Sequence, residues 1–510
     1  MAIPSSRLDL LPPASALVAC MVILGLTTLY VYRLYFSPLA HFPGPKLAAV
    51  SRWYEAYYEI VCLGQYSRRI NQMHDEYGPI VRVAPDELHI RDSSFFDTVY
   101  MYPKVKKHGW DTRFGSKAST FTTADSALHR RRRAALSPMF SRRSIQRLMP
   151  LIRENIELMS RRLSEFQESN RPLCLTDAFP ALTGDIIMEY SFGFCYKSLE
   201  DQNFASFHEA FNAIGAAGHI GAQFPGFFWL MNQIPVSITQ KMQPALSSLL
   251  RMKRDQSDLV AKTIREHDAG TQSDRRTIFS EIIRSNLPPE DKTQQRLADE
   301  AQTVVGAGVE TTSFALCVGS FHIAGTPQIY ERLHTELVGV CPDWTALPDL
   351  HELEKLPYLK ACILESLRLS YGLSARNPRT HDRPIQYKEW TIPAETVIAM
   401  TIVDVHHDEK IFPDSHAFIP ERWLSDPKTA DGTPLEHYLV AFGRGPRACL
   451  GINMAWTELY LAIAMIFRRF KFELFETEIS DVTLEHDNFI PNVKLDSKGV
   501  RVLVRSVVDC

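Results

Sequence analysis

The sequence predicts a mainly α-helical protein with a minor β-sheet region, and three observations carry that reading. Amphipathic, well-charged periods of the helical kind recur along most of the 510 residues. Runs of β-branched residues are short and few. The composition, 45% hydrophobic and 23% charged, is enough for a sizeable core, with no low-complexity linker and no internal repeat.

The first element spans about 10–32 and lacks any charged residue. At about 1.5 Å per residue it can cross a hydrocarbon layer of roughly 30 Å, with Tyr30 and Tyr32 placed for an interface. A cleaved signal peptide is the alternative. Against it, the apolar run is long, no small-x-small site closes it, and Arg33 follows, then His41-Phe42-Pro43-Gly44-Pro45-Lys46. The expectation is an anchor over 1–35 and one catalytic domain over 36–510. Arg33 and Lys46 favour a cytoplasmic domain, while Arg7 and Asp9 cancel on the other side.

Helical patterns then run through 52–76, 126–164, 183–192, 240–267, 276–286, 289–321, 327–339 and 355–369. Strand signals fall at 80–83, 87–90, 396–400 and 500–504. A net charge of −3 gives no global electrostatic case for nucleic acid as a partner. The nine cysteines contain no C-x-x-C pair and no C-x-x-C-H, so they suggest neither a zinc site nor covalent haem, and an odd, irregular set argues against a disulfide framework.

Cys449 stands apart, in Phe442-Gly443-Arg444-Gly445-Pro446-Arg447-Ala448-Cys449-Leu450-Gly451. Glycines at 443, 445 and 451 allow close backbone approach, unpaired N–H groups can bond a sulfur, and Arg447 is a nearby cation. The alternative is a buried, inert cysteine in a glycine-rich turn. In the long helical pattern lies Gly306-Ala307-Gly308-Val309-Glu310-Thr311-Thr312. Each interior glycine costs about 1 kcal/mol against alanine. The reason is either a close helix crossing or a helix opened over a ligand, with the gap at Gly308 admitting a small molecule. Glu365 and Arg368 form an i,i+3 pair among Ile363, Leu364, Leu367 and Leu369, which turns the pair inward, and Arg422 in Pro420-Glu421-Arg422-Trp423 offers it a further partner. In His129-Arg130-Arg131-Arg132-Arg133 only His129 and Arg133 share a helix face. Arg130 to Arg132 would point outward and, with Arg142 and Arg143, form a basic patch suited to an acidic partner.

With these motifs in this order the chain resembles the cytochrome P450 family. Residues 442–451 match F-x-x-G-x-R-x-C-x-G at every fixed position, and 307–312 match A-G-x-E-T-T. The resemblance implies that fold, with haem b between the long central helix and the cysteine loop and Cys449 as axial iron ligand in a loop that includes Phe442, Gly443 and Gly451. It implies a monooxygenase that inserts one atom of O₂ into an apolar organic substrate, taking electrons from an NADPH-dependent flavoprotein reductase, cytochrome b5 being a further candidate donor, in the endoplasmic reticulum membrane. Thr311 would bond the oxygen and Glu310 would relay protons. His129, Arg133, Arg379 and Arg447 would meet the haem propionates, with Arg376 one turn from Arg379, and Glu365, Arg368 and Arg422 would lock the core behind the loop. Two departures stand out: His129 replaces the tryptophan of W-x-x-x-R, and Glu395 in Ile392-Pro393-Ala394-Glu395-Thr396 replaces a glycine, with only a local backbone adjustment expected. The detail of 128–133 and 185–193 is similar to filamentous-fungal members of secondary metabolism, of the trichodiene-oxygenase type.

Two rivals keep other chemistries open: an isomerase or dehydratase that rearranges a peroxide, and a non-catalytic haem sensor. Intact Thr311 and Glu310 weigh against both. The substrate pocket is expected from 110–121, 204–229, 304–312, 373–375 and 489–490, mostly apolar segments that suit a terpenoid or polyketide. Residues 221–229 could instead make a second membrane contact.

Overall fold

The computed structural model describes residues 14–234, 244–271, 276–346 and 348–506. Its axis is the central helix Gln294–Gly325, started by the Thr293 side chain accepting from the Arg296 amide and ended at Thr326, where Pro327 begins the next helix. This helix is apolar enough to resemble a membrane span, yet 67% of its apolar window is buried, because Leu175–Phe192, Pro244–Asp268, Pro357–Ser370 and Ile452–Arg469 pack around it. The helix is unbroken through Gly306 and Gly308. A Cβ on Gly308 would stand 2.8 Å from Ile187, and one on Gly306 would stand 2.6 Å from Phe211. The glycines therefore serve close helix crossings, which corrects the expectation of a helix opened at Gly308.

Elsewhere the periodic patterns are divided by local chemistry. The pattern over 126–164 breaks at the turn Ser137–Phe140, where Pro138 lacks an amide donor and Ser141 caps Arg142–Ser169. The pattern over 52–76 breaks between Trp53–Val61 and Tyr66–Tyr77, at Gly64 with φ +77. Leu175–Phe192 begins well before 183, Pro180 included.

The main sheet orders Ile80–Ala84, Glu87–Ile90, Val397–Ala399, Arg379–Thr380 and Lys106–Lys107, with Lys107 directly opposite Arg379. The Pro43-Gly44-Pro45 hinge lies on its edge, the Arg82 amide donating to Pro43 O at 2.7 Å. Glu395 keeps the left-handed conformation, φ +58, that a glycine would take more readily. At the N-terminal side, Ser15–Phe36 is a 22-residue apolar helical stretch with mean hydropathy 2.0 and none of its window buried. Residues 10–13 of the expected span lie outside the described residues.

Candidate active site

A deep cavity separates the central helix from the loop 442–451, and Cys449, Phe442, Gly443, Gly451, Glu310 and Thr311 all line it. The loop is closed by the Cys449 amide donating to Phe442 O at 2.7 Å. Gly443 and Gly445 take φ of +65 and +68, and a Cβ on Gly445 would strike the Tyr100 carbonyl. Nothing crowds Gly443 or Gly451 in that way. Gly451 instead opens the helix Ile452–Arg469 and turns its N–H toward the sulfur. Burial pushes the Cys449 thiol up, while the Gly451 N–H and the Arg133 guanidinium oppose that shift. The cation acting on the sulfur is thus Arg133, not Arg447. Arg447 donates to Thr123 O at 2.7 Å and Ala124 O at 2.8 Å, tying the loop to the segment before the arginine helix Ser126–Leu136.

One rim of the cavity is cationic. His129, Arg133, Arg379 and Arg447 converge there, joined by Lys107, which the sequence reading missed because only the strand pairing with Arg379 brings it in. Burial and the neighbouring cations Arg379, Arg447 and Arg133 push the Lys107 ammonium well below its ordinary range. Burial and the surrounding cations, Arg447 first, bring His129 down to about 3. Burial brings Arg379 to about 10, and burial with Arg379 and Arg133 nearby brings Arg447 to about 10. Arg376 faces elsewhere, toward Glu55 and Glu87. The basic run is also less outward than expected. Arg131 and Arg132 both pair with buried Asp291, at 2.7 and 2.8 Å, while Arg130, Arg142 and Arg143 are exposed and Arg142 pairs with Glu354 at 3.2 Å.

On the opposite wall Thr311 Oγ1 donates to Ala307 O at 2.9 Å. Glu310 is buried, with Oε2 at 2.8 Å from His208 Nδ1 on the helix His208–Gln223 and Oε1 without a partner. Behind the loop, Glu365 accepts from Arg368 twice at 2.8 Å, from Arg422 Nε at 3.0 Å, and from Ile419 N and Trp423 Nε1 at 2.9 Å. His406 joins this cluster to the loop: its Nδ1 lies 2.7 Å from Arg368 O, and the Val440 amide donates to its Nε2 at 3.0 Å. Sequence spacing gave no sign of His406, and it marked Trp423 only as a neighbour of Arg422, not as a donor to Glu365. Over the cavity, Phe489 packs against Trp110, Phe114 and Phe121 with ring centroids 5.1, 4.7 and 5.8 Å apart. The expected pocket segments 110–121, 304–312, 373–375 and 489–490 all reach the cavity, through Phe121, Val304, Leu373 and Phe489 among others; from 204–229 Phe211 and Ile214 reach it, whereas Phe204 stacks on Phe166 and Phe224 and Trp229 are exposed.

The cytochrome P450 family profile matches residues 61–495. The chain belongs to the cytochrome P450 family. A cytochrome P450 monooxygenase of Sordaria araneosa, sdnE, is 43% identical, covering 96% of this chain and 98% of its own. The tryptophan 6-hydroxylase fscE of Fusarium equiseti is 39% identical over 98% and 99%, and the N-acetyltryptophan 6-hydroxylase ivoC of Emericella nidulans is 36% identical over 96% and 97%. As a cytochrome P450 this protein is a haem-thiolate monooxygenase, using O₂, an organic substrate and a redox partner.

The residues of this P450 fit haem on the chemistry of the cavity itself. Among the described residues no carboxylate pairs with Lys107, Arg133, Arg379 or Arg447, and Arg379 Nε is buried without a partner. Such a rim calls for anionic groups, and a haem carries two carboxylates. Cys449 is the cysteine that lines the same cavity.

Proposed function

We propose that this P450 oxidises an apolar, ring-bearing secondary metabolite of the terpenoid or polyketide class, with Cys449 as axial ligand to haem iron. The single observation that carries this reading is one cavity faced by Cys449 on one side and by Glu310 and Thr311 on the other. Bound haem supplies the reductive activation of O₂, one atom of which enters the substrate while the other leaves as water. Cys449 would meet haem iron as a thiolate, the bound cation offsetting the burial that pushes the thiol up. Phe442, Gly443 and Gly451 hold the loop so that the sulfur opens into the cavity. Lys107, His129, Arg133 and Arg379 would take the propionates, with Arg447 fixing the loop beside them. The neutral His129 donates a hydrogen bond where the family has an indole N–H.

Thr311 Oγ1 holds a proton on the oxygen-facing wall, and Glu310 delivers protons to it, the unpartnered Oε1 being the releasing atom. Glu365, Arg368 and Arg422 are structural. They fix the base of the loop through His406 and Val440. The aromatic cluster of Trp110, Phe114, Phe121 and Phe489 excludes water and selects apolar ring surface. The relatives named for hydroxylating tryptophan and N-acetyltryptophan are consistent with a ring-oxidising site.

The exposed Ala14–Val31 helix anchors residues 1–35 in the endoplasmic reticulum membrane, with the domain 36–510 in the cytoplasm. Trp53, Phe224, Trp229 and Leu230 are exposed, with Trp53 and Phe224 rings 5.8 Å apart, which supports a second membrane contact at 221–229. An NADPH-dependent flavoprotein reductase, with cytochrome b5 as a further donor, docks on the basic face of Arg130, Arg142 and Arg143. Product profiling by mass spectrometry after co-expression with a reductase tests the assignment. New oxygenated products that depend on NADPH and on Cys449 support it, and NADPH-independent rearrangement products would overturn it.

A further inference from the structure

The two oxygens of Glu310 face different surroundings. Oε2 lies 2.8 Å from His208 Nδ1, whereas Oε1 is buried without a partner in a residue that lines the cavity. His208 opens the helix His208–Gln223, which crosses the central helix at Gly306 and Phe211. Its side chain is 22% exposed against 6% for Glu310, so the imidazole stands between the carboxylate and solvent. The other ring nitrogen, Nε2, lies 3.0 Å from Asn212 Nδ2 one turn along the same helix. An amide donating to Nε2 leaves the proton on Nδ1, which then donates to Glu310. Imidazole is suited to this position because it can accept a proton at one nitrogen and give one up at the other.

The electrostatics agree. Burial opposes a charge on His208, but the Glu310 carboxylate, by attraction and by its hydrogen bond, outweighs burial and raises the His208 pKa. Asp177, from the helix Leu175–Phe192, and Glu209, from His208's own helix, add to that effect. The simpler role, an ion pair that merely seats one helix on another, uses neither the free Oε1 nor the partial exposure of the imidazole.

We propose that His208 is the proton-relay residue that recharges Glu310 from solvent, an assignment that rests on Glu310 being the acid of the oxygen side. With the Asn212 amide turned aside, a solvent proton binds His208 Nε2, and the imidazolium so formed passes its Nδ1 proton to the Glu310 carboxylate at Oε2. Rotation of the neutral carboxyl turns that O–H into the cavity, where the proton is released, and tautomerisation of the imidazole restores the starting state. One proton moves inward per cycle, only N–H and O–H bonds change, and no electrons move.

The test uses the full-length haem-loaded protein with purified reductase, NADPH, O₂ and 7-ethoxycoumarin as organic probe, each variant first being scored for a normal ferrous–carbonyl spectrum. His208→Asn places an amide N–H at the Nδ1 position, so the bond to Glu310 survives while proton exchange does not. The expected result is that His208→Asn and His208→Ala both raise peroxide per NADPH and lower the coupled fraction by at least about tenfold, the weak end for an acid–base group. Wild-type coupling should fall as pH rises through the His208 titration, and that step should vanish in His208→Asn. A second readout needs no turnover. In ¹⁵N-histidine NMR of the resting protein, the resonance lost in His208→Asn should titrate above the ordinary value of about 6.5 and move down in Glu310→Gln. Wild-type coupling in His208→Asn with uncoupling in His208→Ala would reduce His208 to a positioning role and overturn the relay. His208 titrating at or below about 6.5 would overturn it as well. Uncoupling in Glu310→Gln with none in His208→Asn would sink the His208 step alone, whereas full coupling in Glu310→Gln would sink the role of Glu310 itself.

Discussion

Replacing Glu365 with alanine should leave a protein unable to keep its haem. The Glu365 side chain is wholly buried and accepts five hydrogen bonds, three from the guanidinium groups of Arg368 and Arg422 and two from neutral donors, Ile419 N and Trp423 Nε1. Removing one partner of a buried ion pair costs about 3–5 kcal/mol, because the other charge remains in the interior. Arg368 would still donate to His406 O at 3.0 Å and Ala417 O at 2.9 Å, but those carbonyls carry no compensating charge. Each orphaned neutral donor adds about 1–3 kcal/mol. The total is comparable to the whole stability of a typical domain, about 5–15 kcal/mol. The assay is the urea midpoint together with ferrous–carbonyl haem per mole of soluble protein. Glu365→Ala should be largely insoluble and haem-free. Arg422→Ala, which removes one 3.0 Å bond to Glu365 and contacts at the Pro413 and Asp414 carbonyls, should lose only about 1.5–3 kcal/mol. Soluble Glu365→Ala protein with wild-type haem content and midpoint would refute the reasoning.

Thr311→Ala should keep consuming NADPH while oxygenated product falls at least about tenfold and peroxide makes up the difference; tight coupling in the variant would remove Thr311 from the proton path. Lys107→Met keeps the volume of the side chain but loses one charge-assisted bond to a propionate, worth about 1.5–3 kcal/mol, so haem transfer to apomyoglobin should show an affinity about 10- to 150-fold weaker; unchanged transfer would take Lys107 out of the set. Burial first, and then Asp487, raise Glu59 to about 8, with Arg376 opposing. The folded pKa therefore lies above the unfolded one, and Glu59's contribution to stability, complete below about pH 4, is lost as pH rises through about 8. Denaturation between pH 5 and 9 should show that decline, and Glu59→Gln should flatten it; the same decline in the variant would locate its cause elsewhere.

The cysteine loop was legible in the sequence because its geometry depends on glycines and an arginine within ten residues of Cys449. Glu310 and Thr311 were legible for the same reason, lying on one helical turn. Lys107 was not, since its place depends on a strand pairing with Arg379 across more than half the chain. His208 and His406 act through partners 102 and 34 or more residues away, at Glu310 and at Arg368 and Val440, and no spacing rule reaches that far. Ile452–Arg469 escaped notice because residues 459–467 form an unbroken apolar run, which pattern alone cannot assign to a helix or a buried strand. His208–Gln223 escaped because Gly215, Gly218 and Gly221 depress helix propensity. Those glycines fit close contacts: a Cβ would meet Asn488 O at 2.5 Å, Arg113 at 3.1 Å and Phe228 at 2.5 Å respectively. The glycines of the central helix were noticed, but periodicity cannot distinguish a helix opened over a ligand from one crossed closely by another.

The central claim is that Cys449 ligates haem iron as a thiolate, and the ferrous–carbonyl spectrum of Cys449→Ser tests it most directly. The loop closure between the Cys449 amide and Phe442 O uses backbone alone, so the variant should fold and the cavity should persist. Wild-type protein should give the far-red-shifted Soret band of thiolate-bound haem, and Cys449→Ser should lose it, serine being a far weaker anionic donor. Retention of that band by the serine variant would contradict the assignment of Cys449 and the account built on it.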